Sequence, residues 1–151
     1  MGFNSRDTGY NYTVYTKADV TATPGAWTTA NSPITIFTVT GAVLCTFYAY
    51  STAAMTSTGA TGTISLGYTG QTAAFLGVTT INATNFPTAG GEAWVSTDGS
   101  LKAKLLASTD TRNILVGSTN VLLTIATNNM TAGGMVIVCE WTPISAGATV
   151  V

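Results

Sequence analysis

From Ile34 onward, apolar and polar residues alternate with a period of two, the spacing of side chains on one face of an extended chain. The run Ile34-Thr35-Ile36-Phe37-Thr38-Val39 precedes Gly41, and the stretch from Ala42 to Ser51 follows with Val43, Cys45, Phe47 and Ala49 on one face. Gly41 is therefore either a bulge within one long strand or a tight link between two. Further strands are predicted over residues 62–69, 73–78, 92–96, 101–107, 112–116, 120–127 and 135–142, with a helix competing only over 101–108. Elsewhere Thr, Val and Ile disfavour helix, because they lose side-chain freedom there and pack well on a pleated sheet.

Turn chemistry punctuates these runs at Ser57-Thr58-Gly59, Phe86-Pro87-Thr88-Ala89-Gly90-Gly91, Asp98-Gly99 and Thr131-Ala132-Gly133-Gly134. Short strands with regular punctuation predict an all-β chain: a single antiparallel β-sandwich or jelly-roll-like domain over residues 34–151. Its inner face is expected to hold Ile36, Val43, Cys45, Phe47, Ile64, Leu66, Leu123, Ile125, Ile137 and Trp141. No repeat of fixed period emerges, which argues against a solenoid or propeller.

Residues 1–33 depart from this pattern. They are aromatic and polar, with few aliphatic residues, and read as an extended N-terminal arm or edge segment. A short strand is expected where Tyr10, Tyr12 and Val14 alternate with Asn11, Thr13 and Tyr15, and Thr23-Pro24-Gly25 supplies a turn. The rings of Phe3, Tyr10, Tyr12, Tyr15 and Trp27 are too many for a solvated tail, and the segment cannot form a core of its own. They are the expected contacts with a partner chain, to which an extended arm can also add a strand. The competing expectation is an edge strand packed on its own domain.

Composition sharpens the picture. Five Lys and Arg, six Asp and Glu and no His leave 7% of the chain charged, against about a quarter in ordinary soluble domains. About a fifth of the residues are Thr. So weakly charged a surface predicts self-association, with a closed homotrimer as the expected form. Arg6, Lys17, Lys102, Lys104 and Arg112 form no basic stripe, so no nucleic-acid partner is expected. No apolar stretch has the length of a membrane span and the first residues lack the layout of a signal peptide, so synthesis in a cytoplasm and no membrane partner are expected.

Little points to catalysis. The absence of His removes the usual general base, the usual partner of a nucleophile and the commonest transition-metal ligand. No phosphate-cradling, nucleophile-elbow or calcium-loop motif occurs, so no catalytic, cofactor-binding or metal-binding residues are expected. The carboxylates Glu92 and Glu140 are the pair that falls on predicted strands, as a glycosidase would need. Glu140, however, lies on the face opposite Ile137, Cys139 and Trp141, and is expected to project outward or to meet another subunit. Cys45 and Cys139 fall on apolar faces and read as buried thiols, bridgeable only if their strands are neighbours or face each other closely.

The run Ile34-Thr-Ile-Phe-Thr-Val-Thr-Gly-Ala-Val-Leu, the segment from Gly62 to Leu76 and the ending Gly133-Gly-Met-Val-Ile-Val-Cys-Glu-Trp-Thr-Pro-Ile-Ser carry a resemblance. They resemble small threonine- and glycine-rich structural proteins of tailed bacteriophages, of the head-associated or capsid decoration type. The likeness runs from Ile34 to Val151 and leaves the arm uncovered. It implies a virion protein made in the host cytoplasm, seated on the capsid exterior as a trimer of β-rich domains and cementing the major capsid protein. A fibre, tail or baseplate module that binds a receptor or glycan shares the same texture.

Overall fold

The computed structural model describes residues 13–21, 27–86, 93–95, 113–117 and 119–151. Among these the strands are β1 (Val14–Thr21), β2 (Ile34–Thr40), β3 (Ala42–Ser57), β4 (Thr63–Tyr68), β5 (Gln71–Thr80), β6 (Ala93–Val95), β7 (Asn113–Val116), β8 (Thr119–Ala126), β9 (Met130–Pro143) and β10 (Thr149–Val150). A 3-10 turn at Thr58–Ala60 joins β3 to β4. The strands of sheet A lie in the order β1-β9-β3-β6, with β7 also paired to β3, and those of sheet B in the order β10-β2-β8-β4-β5. All pairings are antiparallel.

The protein is an all-β sandwich. β7 pairs with Ala42–Cys45 and β6 with Tyr48–Tyr50, while β9 occupies the opposite edge of β3, so β6 and β7 share one strand position. With the short β10 set aside, the positions interleave first-eighth-third-sixth in sheet A and second-seventh-fourth-fifth in sheet B. This is the jelly-roll order.

Gly41 resolves as a link between strands. It stands alone between β2 in sheet B and β3 in sheet A, with φ +73°, and a Cβ there would lie 2.7 Å from Ser145 Oγ. The corner is fastened by Ala42 N–H donating to Ser145 Oγ at 2.8 Å and by Gly117 N–H donating to the Gly41 carbonyl at 3.0 Å. A residue with a side chain would meet both a left-handed backbone and a crowded site.

The segment Thr131–Gly134, expected as a turn, is instead part of β9. Gly133 has φ +96°, and a Cβ there would run into the backbone of Ala54 and Met55 on β3. The pairing of β3 with β9 shifts register between Ser51 and Ala53 and again near Thr56. The glycine therefore serves a bulge and a close strand approach, which sequence alone does not separate from a turn. The predicted strand over 101–107, the Asp98-Gly99 turn and the Thr23-Pro24-Gly25 turn lie outside the described residues.

The expected core residues are buried, except Ile36, which is half-buried. In β2, Thr35 pairs with Leu122 and Phe37 with Val121, leaving Ile36 as the extra residue of a bulge. The bulge shifts the alternation by one, so that Phe37 and Val39 face inward with Ile34. A row of rings fastens the sheets together. Phe47 of β3 stacks on Phe75 of β5 with centroids 4.6 Å apart and meets Phe37 of β2 at 6.2 Å, while Tyr68 reaches Phe75 at 5.9 Å.

β1 is the edge strand of sheet A, paired with β9 from Val14↔Trp141 to Thr21↔Gly134. Its inward Val14 and Ala18 pack on the core. Thr16 joins three elements: the indole N–H of Trp141 donates to Thr16 Oγ1 at 3.0 Å, and that hydroxyl donates to the Val150 carbonyl at 3.2 Å.

Candidate functional site

Alternation on β3 places Phe47 and Ala49 inward and Thr46, Tyr48 and Tyr50 on the outer face of sheet A. The register then assembles three rows across that face. Glu140 lies between Tyr15 and Thr46, Val138 between Lys17 and Tyr48, and Val136 beside Tyr50. Val136 and Val138 are buried, whereas Tyr15 is 57% and Tyr50 36% exposed. Glu140 and Tyr48 are half-buried.

Beside Glu140 is a depression of about 80 Å³ lined by Thr13, Leu44, Thr46 and Thr142, together with Cys45 and Trp141. The Tyr48 phenol is pushed above its ordinary value, first by burial, then by the negative field of Glu140, with Tyr15 and Tyr50 adding to it. These groups thus sense one another electrostatically. The arrangement sets the exposed Tyr15 beside Glu140 and Thr46, with the exposed Tyr50 two rows further along the sheet.

The outer face of sheet B differs. Thr35 and Thr38 on β2 pair with Leu122 and Asn120 on β8, Thr124 with Ser65 on β4, and Ala126 with Thr63, which in turn pairs with Thr80 on β5. Among the described residues the charged ones are Lys17, Asp19 and Glu140, all on strands of sheet A; the strands of sheet B carry none.

Of the residues expected to contact a partner, Phe3, Tyr10 and Tyr12 lie outside the described residues. Tyr15 sits on the exposed face of β1. Trp27 is half-buried and packs against the domain's own core, its carbonyl accepting from Met130 N–H at 3.2 Å. Glu140 projects from the outer face, as its strand phase implies, and Glu92 lies outside the described residues. Tyr48 and Tyr50 were legible as the alternate face of β3, but their meeting with Tyr15 and Glu140 depends on β9 lying between β1 and β3.

Cys45 and Cys139 stand diagonally on neighbouring strands, Cys45 opposite Trp141 and Cys139 opposite Phe47, and both are buried thiols. The Cys139 thiol is pushed far above its ordinary value by its hydrogen bond with Cys45 and then by burial. Among the described residues no group of three or more His, Cys, Asp or Glu side chains could hold a metal ion.

No protein-family model matches the chain, and neither a curated protein nor a solved structure matches it.

Proposed function

We propose that this chain is a structural virion protein, a decoration protein that binds the major capsid protein on the outer surface of a tailed-phage head and stabilises it. The observation that carries the reading is the charge-free sheet B, whose outer face offers Thr, Ser, Ala and Asn side chains. Solvated surfaces ordinarily use charge to resist association; this one suits packing against protein, either another copy in a homotrimer or the capsid lattice. Cross-strand Thr pairs support a sheet without needing water. The jelly roll is a fold that capsid domains use, as do lectins, so the fold contributes by analogy only.

In this reading Phe3, Tyr10 and Tyr12 are the arm's contacts with a neighbouring chain, while Tyr15 belongs to the domain's own edge strand. A module of the fibre, tail or baseplate is the second reading, favoured by the exposed tyrosines of sheet A.

The deciding experiment is electron cryomicroscopy of particles that contain this chain, at a resolution that traces a β-sandwich. Density repeating over the outer head surface is the expected result. Density confined to the tail or its fibres would replace this reading with the second, and absence of the chain from purified particles would remove both.

A further inference from the structure

We propose that Cys45 and Cys139 form a redox-sensitive lock, a pair of thiols that a peroxide or a disulfide oxidant closes into a bond joining β3 to β9. They are the two cysteines of the chain, and the fold brings them to one place from remote positions in sequence. The register sets Cys45 opposite Trp141 and Cys139 opposite Phe47, so the two stand on successive inward-facing rows of one ladder, related by its diagonal. Both side chains belong to the sandwich core, at 1% and 0% exposure. A hydrogen bond already joins the two thiols.

Diagonal neighbours on an antiparallel sheet have Cα atoms about 7–8 Å apart, with Cβ atoms closer, whereas a disulfide takes about 4.4–6.8 Å. Closing the bond therefore asks β3 and β9 to draw together slightly at these two rows. A disulfide strained in this way is easier to reduce than an ordinary structural one, as labile and regulatory bonds are. Against the strain stands the long loop that the bond closes between β3 and β9. The unfolded chain loses much freedom in closing it, while the fold has closed it already. The bond is thus favoured by the native state and still opens in reducing surroundings.

With hydrogen peroxide the step balances without any other group. One thiolate attacks, the oxygen–oxygen bond breaks, and a sulfenic acid and, after protonation, one water result; the second thiol then displaces the sulfenic oxygen as a second water and forms the sulfur–sulfur bond. The two thiols lose two electrons and two protons, and the peroxide is reduced to water. Burial shields both sulfurs from bulky reagents and holds the Cys139 thiol in its protonated form, which slows the attack. A small uncharged oxidant and transient parting of the β3–β9 ladder admit it, so closure is slow in the native chain.

The test equilibrates the full chain in glutathione buffers of rising oxidised fraction, once native and once in urea, and in a second arm exposes the native chain to hydrogen peroxide. Samples are quenched with acid, alkylated in denaturant and weighed by mass spectrometry. The expected product in both arms is a single chain lighter by two hydrogen atoms, with neither cysteine alkylated, a digest that links the Cys45 and Cys139 peptides, and reversal by dithiothreitol. Half-closure of the native chain should need about tenfold less oxidised glutathione than that of the unfolded chain. A native chain that keeps both thiols in either arm would overturn the proposal. So would equal or easier closure of the unfolded chain, or sulfinic acids, glutathione adducts or cross-linked dimers in place of the internal bond.

Discussion

Sheets A and B contribute alike to one core but present opposite outer faces. Sheet A carries Lys17 and Glu140 and the exposed Tyr15 and Tyr50. Sheet B carries Thr and small residues and no charge. The inner faces obey one rule, exclusion of water, while the outer faces are free to differ. The difference separates a face built from a few chemically distinct groups from one built of small neutral side chains.

The largest effect should come from the common core. Phe47→Ala removes the ring that joins Phe75 and Phe37 across the sandwich, and should cost about 3–5 kcal/mol in denaturant unfolding. An unchanged midpoint would mean that the two sheets are not held together there. Gly41→Ala comes next, because a left-handed φ and a 2.7 Å approach to Ser145 Oγ coincide at the link between sheets; strain of this kind costs about 1–3 kcal/mol. A melting temperature equal to that of the parent would refute the crowded corner.

Thr16→Val strips the acceptor from the Trp141 indole and the donor from the Val150 carbonyl. A buried group left unpaired costs about 1–3 kcal/mol, and hydrogen exchange should accelerate in β1 more than in β8. Uniform acceleration would show that β1 is not a separately tied edge.

The Cys139 thiol supplies a pH dependence. Its folded-state value is raised by the bond to Cys45 and by burial, so the native state keeps a proton that the unfolded state releases. The contribution is fully present below the ordinary thiol range, about pH 8.5, and is lost as pH rises beyond it. Denaturant midpoints should therefore fall from pH 8 to pH 10, and should fall less steeply in Cys139→Ala; an identical slope in that variant would assign the effect elsewhere.

Much of this was legible in the chain. The alternation Val43, Cys45, Phe47, Ala49 placed the inner face of β3 directly, and the 7% charged content already pointed to a weakly charged surface. Ile36 misled because a bulge changes the phase of a strand, and the only local sign was the adjacent apolar pair Ile36-Phe37. Gly133 misled because glycine answers equally to turns and to close backbone approach. The Tyr15, Tyr48, Tyr50 and Glu140 face was hidden for another reason: its residues are remote in sequence and meet through strand pairing, which period-two patterns do not encode.

The most direct test compares the two outer faces in one experiment: the occupancy of purified heads lacking the chain by the double variants Thr35→Lys/Ala126→Lys on sheet B and Tyr15→Ala/Tyr50→Ala on sheet A. All four positions are exposed, so both proteins should fold, with stability within about 0.5 kcal/mol of the parent. The account predicts that charge on sheet B abolishes attachment or self-association while loss of the tyrosines leaves both intact. Full occupancy by the sheet B variant, or loss of occupancy by the sheet A variant alone, would contradict it.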